Sequence, residues 1–227
     1  MKRRIGLITA MVFGTLILQA QQKTTDASRT SFGIRGGVNF QNINGKDENG
    51  DKLENDMLTG FNAGINIEIP VGTDFYFQPG LLYTIKGAKT KDVIPGHGKI
   101  KISYLEIPLN LIYKPMLGKG HLLLGFGPYV ALGLNGKVTY DGGGINQSSD
   151  IKFKNTVKSS DPDNFVYLRP LDAGANLLAG YEFSNKVSFQ LNTQLGLTKI
   201  NPEYEGVSND KRSAKNTGFG FSLGFRF

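Results

Sequence analysis

Few residues in this 227-residue chain have the right type and spacing for chemistry. His97 and His121 are its only histidines, and Ser103 lies close to His97 in sequence. A His with a Ser near a membrane rim would suit lipid hydrolysis. No pair stands at triad-like positions, however, and His121 falls beside a tight turn far from that rim. His97 reads as an ordinary loop histidine, and no enzymatic activity is expected. Asp47, Asn49 and Asp51 match the start of a calcium-binding loop. Lys52 then stands where the loop requires Gly, and Leu58 where it requires a bidentate acid, so the segment reads as a solvated acidic loop. Asp141 and the three glycines after it are not placed between a strand and a helix as a phosphate loop requires, and read as a flexible turn. With no cysteine, disulfides, Cys-zinc sites and thiol catalysis are excluded. No cofactor or metal is expected.

The charges on alternating segments are more informative. Arg35, Glu68, Lys86, Glu106, Asp172, Glu182 and Arg226 all fall on the polar side of a two-residue alternation. Tyr104 and Tyr129 project the same way. Such a set could line a solute path or fill an interior by mutual pairing. Pairing is the favoured reading, with Arg35 meeting Glu106 near mid-height and Glu68 as a third member. A second group, Lys86, Lys89, Lys91, Lys99 and Lys101, clusters at one end of two neighbouring segments. Amines there would bind lipid phosphates or form a solvated rim.

The elements that position these residues are eight alternating segments. They are Phe32–Phe40, Phe61–Ile69, Phe75 to about Ile85, Ile100–Tyr113, Leu122–Leu134, Leu171–Phe183, Val187–Leu197 and Thr217–Phe227. Each shows apolar residues at every second position, the mark of a strand with two unlike faces. Three links are short: Pro70–Asp74, Lys114–Gly120 and Ser184–Lys186. The other four are longer and polar: Gln41–Gly60, Gly87–Lys99, Asn135–Pro170 and Asn201–Asn216. Short and long alternate, as in an outer-membrane barrel with short periplasmic turns and longer extracellular loops. The fold class expected is all-β: an eight-stranded antiparallel up-and-down transmembrane β-barrel. Closure is obligatory in hydrocarbon, where unpaired backbone groups are costly. Pro79, Pro108 and Pro128 interrupt the donor row inside strands, and local distortions or bulges are expected there. A soluble lipocalin-like barrel would instead turn outward Arg35, Asn62, Asn66, Glu68, Gln78, Glu106, Asn110, Gln190, Asn192 and Gln194. Such a surface would be unusually rich in Gly and poor in Lys, which favours the membrane reading.

The ends agree. Lys2, Arg3 and Arg4 precede a short apolar stretch from Ile5 to Leu18, with a small-residue cleavage site at Ala20. Residues 1–20 read as a signal peptide, 21–31 as a short periplasmic segment and 32–227 as the barrel. Without the three leader cations, 23 Lys and Arg of the original 26 remain against 19 Asp and Glu, a net of about +4. These charges are interspersed, so nucleic acid is not an expected partner. The final strand ends on Phe227, which looks like a signal for barrel assembly machinery.

Five segments together resemble the PorT-like family of outer-membrane β-barrel proteins: Gly33–Phe40 (GIRGGVNF), Gly60–Pro70 (GFNAGINIEIP), Phe75–Lys89 (FYFQPGLLYTIKGAK), Tyr104–Lys114 (YLEIPLNLIYK) and Gly127–Leu134 (GPYVALGL). The resemblance spans about residues 32–227. It implies an outer-membrane barrel, no helical domain and no catalytic residues. The name-giving member is associated with protein secretion, a role not carried over here. Two functional classes remain: a structural or adaptor protein of the envelope working through loops, lipids or protein partners, and a narrow porin-like channel.

Overall fold

In the computed structural model the described residues are 29–93, 96–142, 145–207 and 210–227. The expected signal peptide and nearly all of the segment after it lie outside them. Everything from Ser31 to Phe227 forms one compact unit. Its strands are β1 (Ser31–Lys46), β2 (Asn55–Gly72), β3 (Phe75–Val93), β4 (Gly96–Tyr113), β5 (Met116–Leu117), β6 (Gly120–Gly142) and β7 (Ile145–Phe153). They continue as β8 (Thr156–Val157), β9 (Val166–Leu168), β10 (Leu171–Glu182), β11 (Val187–Gly196), β12 (Glu203–Tyr204) and β13 (Ser213–Arg226).

Eight of these strands close a ring. Pairing runs β1, β2, β3, β4, β6, β10, β11 and β13, and β13 returns to β1. Every ring contact is antiparallel. The closing seam is long, from Gly33 opposite Arg226 to Lys46 opposite Ser213. The ring therefore leaves no edge in the plane of the bilayer, which is the condition for strands to cross it.

The alternation read from the sequence sorts the side chains as expected. Phe32, Ile65, Phe126, Leu177 and Leu223 are all exposed, Leu177 to 63%. Such a continuous apolar surface would be a liability in water and is the normal lipid face of a barrel. Aromatic pairs band both ends of it. Phe75 meets Tyr113, Tyr181 meets Phe183 and Phe225 meets Phe227 near the termini. Phe40 meets Phe219 and Phe61 meets Tyr83 toward the other end.

Two sequence expectations need correction. First, no bulge sits at the prolines, and the distortion there is only a break in pairing: the register is unshifted, with Pro79 facing Leu109, Pro108 facing Tyr129 and Pro128 facing Ala175, while the β3–β4 ladder skips from Pro79 to Leu82 and the β4–β6 ladder from Pro108 to Leu111. The β4–β6 irregularity lies instead between Ser103 and Tyr104, where Leu134 is the extra residue on β6. A proline costs one ladder donor, and here that loss is absorbed without adding a residue. The glycine beside Pro108 helps, because a Cβ on Gly80 would sit 3.2 Å from the Pro108 ring. Second, much of the expected long loops is strand. Most of the Gly87–Lys99 segment belongs to paired β3 and β4, and β6 continues to Gly142 and pairs with β7. At 23 residues and about 3.3 Å per residue, a strand tilted by about 45° rises roughly 50 Å, well beyond an apolar band of about 25 Å.

Gly174 shows how tightly the interior is packed. It faces Tyr129 across the β6–β10 ladder, and a Cβ there would lie 2.8 Å from the tyrosine ring and 2.1 Å from the Leu195 carbonyl oxygen. Gly174→Val should therefore abolish the heat-modifiable gel migration of a closed barrel, whereas Gly72→Ala, with only an ordinary contact nearby, should leave it intact. Normal migration of the Gly174 variant would contradict this packing.

Candidate functional site

The polar faces of the eight strands meet inside the ring and form two charged tiers. The tier nearer the termini is built from β2, β10, β13 and the residue following β4. Lys114 Nζ lies 3.1 Å from Glu68 Oε2 and 2.8 Å from Glu182 Oε1. Arg226 Nε donates to Glu182 Oε2 at 3.0 Å, and its terminal nitrogen binds Glu68. Gln78 donates to Glu68 Oε1 at 3.0 Å. Two cations and two carboxylates thus form a neutral square. The sequence reading placed Glu68, Glu182 and Arg226 on this face but assigned Lys114 to a turn. Its parity with Glu106, Asn110 and Ile112 was the available signal.

The second tier centres on Lys86. Its Nζ lies 2.8 Å from Glu106 Oε2 and 3.0 Å from Asp172 Oδ2, with all three side chains at most 1% exposed. Its ammonium also sits 4.0 Å from the centroid of the Tyr129 ring. Asn216 donates to Asp172 at 3.0 Å and to the Tyr104 hydroxyl at 3.3 Å. Gln194 donates to Glu106 Oε1 at 2.6 Å. Lys86 is therefore a lumen residue and not part of the lysine rim. The expected Arg35–Glu106 pair is replaced, because the ion pair on Glu106 is made by Lys86. Lys86 reaches Glu106 from two rungs up on the adjacent strand, where Leu82 directly faces Glu106. Glu68 likewise joins Arg226 and Lys114 and not Arg35.

Arg35 and Glu106 still line one chamber of about 30 Å³, together with Asn39, Gln41, Asn110 and Asn176. The side-chain oxygens of those four amides have no protein donor. The volume suits a water or two, far short of a solute path.

Above the second tier the lumen turns apolar. Ile43, Ala88, Ile102, Tyr104, Val138 and Ile151 form a buried core with Ile200, which comes from the last long connection. This cap was not legible in the alternation, since Ile151 lay in a segment read as a polar loop and Ile200 lay just past the end of an alternating segment. Outside the cap, β8 and β12 form a small parallel sheet that ties two connections together. Arg169 bridges to Glu203 at 2.8 Å, and Arg212 stacks 4.4 Å over Tyr204. Lys154 binds Asp161, and Arg212 binds Asp210; each cation holds its carboxyl below the ordinary Asp range. A depressed carboxyl stabilises the fold above its unfolded pKa of about 3.9 and loses that contribution as pH falls through its folded value.

The other candidates are not brought together. The Ser103 hydroxyl accepts from Tyr83 at 2.8 Å on the outer face. The His97 side chain lies outside the described residues, and its backbone faces Asp141. His121 sits at the opposite end, opposite Glu182 in the ladder. In the acidic loop, the Asp47 carboxylate accepts from the backbone N–H groups of Asn49 and Asp51, both at 2.9 Å, as a turn.

A lipid-facing band, a closed antiparallel ring and a filled polar interior define an outer-membrane β-barrel. The chain belongs to the outer membrane protein beta-barrel domain family, whose model matches residues 19–201. Among solved structures, the chain is similar to Ail, the attachment invasion locus protein of Yersinia pestis, at 13% identity and a TM-score of 0.39, covering 88% of this chain and 99% of that one. It is also similar to Neisserial surface protein A, at 15% identity and a TM-score of 0.40, covering 87% and 97%. No curated protein matches the chain.

Lys86→Met should lower unfolding stability in phospholipid vesicles by about 3–5 kcal/mol, because it leaves two buried carboxylates facing each other. Adding Glu106→Gln and Asp172→Asn should restore more than half of that loss. Arg212→Met, which removes a local and more exposed pair, should cost about 1 kcal/mol or less. Equal effects of the Lys86 and Arg212 variants in urea titrations would contradict a formed inner tier.

Proposed function

We propose that this protein is a non-enzymatic structural or adaptor component of the outer membrane, acting through its extracellular end and through partners in the envelope. The observation that carries this reading is the filled lumen. Two charged tiers and an apolar cap follow one another along the interior, and the chamber of about 30 Å³ beside Arg35 and Glu106 suits water alone. A barrel of eight strands has an interior about wide enough for its own side chains, so the filling is what its size favours. The material beyond the membrane is, by contrast, built for contact. Its connections are folded into strands, pinned by Arg169, Arg212 and Lys154, and packed against a core. A rigid surface of this kind loses little conformational entropy when a partner binds.

The resemblance to PorT-like proteins supports an envelope role without specifying secretion. Outer-membrane lipids are the first partner of the apolar band, and the strand ending at Phe227 is the segment that the barrel assembly machinery would read.

Purified protein in planar bilayers should give no stable single-channel steps. Uniform steps from the wild-type chain would favour the narrow-channel alternative and contradict the adaptor reading. In intact outer membranes, a photo-reactive residue placed at Lys158 should give adducts of discrete mass, while one at the lipid-facing Leu177 should give lipid adducts only. Lipid adducts alone from both positions would also contradict an adaptor role.

A further inference from the structure

We infer that four lysines on the outer wall of the barrel, Lys89, Lys99, Lys101 and Lys137, form a binding site for the phosphate groups of outer-leaflet glycolipid. Three of them belong to the cluster expected from the sequence. Lys137 is added by the fold, Lys86 is removed to the lumen, and Lys91 has no described side chain.

Register places the four on three neighbouring strands and two rungs. Lys89 faces Lys99 across β3 and β4. Lys101 faces Lys137 across β4 and β6. All four side chains are exposed. Like charges directly opposite each other destabilise a sheet, so two such pairs in adjacent rungs call for an anion. Carboxylates border the group. Asp56 faces Lys89 from β2, Asp150 faces Lys137 from β7, and Asp141 lines the shallow depression that Asp56, Lys89, Lys99 and Thr139 also border. On the central strand, Lys99 is flanked by Lys89 and Thr139, and Lys101 by Gly87 and Lys137. Neither has an acidic cross-strand neighbour.

Height supplies the second argument. On β4 the outward residues descend from Lys99 and Lys101 through Ser103 to Leu105, Ile107 and Leu109, the last three lying in the exposed apolar band. The Tyr83–Ser103 hydrogen bond marks the polar boundary between them. One rung above that boundary is where headgroup phosphates lie. The bulge at Leu134 is what brings Lys137 to this face: below it the even residues Val130 and Leu132 face lipid, and above it Lys137 does, opposite Lys101. Phosphate accepts from ammonium through three strong acceptor oxygens, and amines near an anionic surface act together.

The test uses the full mature barrel folded in phosphatidylcholine vesicles, with bisphosphorylated outer-membrane glycolipid as the probe. A variant carrying Lys89→Gln, Lys99→Gln, Lys101→Gln and Lys137→Gln should bind at least about tenfold more weakly, or about 1.4 kcal/mol. Heat-modifiable migration confirms that it folds, and the matching four-Arg variant should retain binding. Binding should weaken as NaCl rises, since the site is exposed. Unchanged binding by the Gln variant, or equal binding of dephosphorylated glycolipid, would overturn the proposal. Full displacement by inorganic phosphate at the same concentration would overturn glycolipid as the source of the phosphate.

Discussion

The backbone hydrogen bond in hydrocarbon is the constraint on which the rest of this structure depends. A strand in the bilayer core has no water to satisfy its N–H and C=O groups, so each must be paired with a neighbouring strand. The seam between β1 and β13, from Gly33 to Lys46 on one side and Arg226 to Ser213 on the other, meets that demand and turns a sheet into a ring. Closure then fixes which face each side chain takes. The apolar set must face lipid, and the polar set is forced inward, away from both lipid and bulk water.

That forced burial explains the interior chemistry. Ionised side chains taken out of water are costly unless each is matched. The chain matches them in compact groups: Glu68 and Glu182 between Lys114 and Arg226, and Glu106 and Asp172 on either side of Lys86, with Arg35 lining the chamber beside Glu106. Amides fill the remaining space, and Ile151 and Ile200 close the mouth. The filled interior and the folded connections beyond the bilayer are thus two results of one closure.

Much of the fold was legible because two-residue alternation is a direct imprint of a strand with lipid on one side. The inward positions of Arg35, Glu68, Glu106, Asp172, Glu182 and Arg226 could be read the same way. Their partners could not. Pairing depends on strand stagger around the ring, and Lys86 meets Asp172 only because β3 and β10 approach across the lumen. Lys114 was obscured by the turn that follows it. Lys137 was hidden by a single extra residue at Leu134, which reverses the phase of β6 and leaves no mark in composition. The cap was missed for a different reason: Ile151 and Ile200 are isolated apolar residues among polar neighbours, and only tertiary packing shows that they meet.

The most direct test of the closed ring uses the absence of native cysteine. Val38 and Phe221 face each other across the closing seam and point to lipid. Directly opposed residues in an antiparallel pair have Cα atoms about 4.5–5.5 Å apart, within disulfide reach. The Val38→Cys, Phe221→Cys double variant, oxidised in intact outer membranes, should form an intramolecular disulfide in most molecules and migrate accordingly on non-reducing gels. Failure to cross-link in protein that is otherwise folded and membrane-inserted would contradict closure of the first strand on the last.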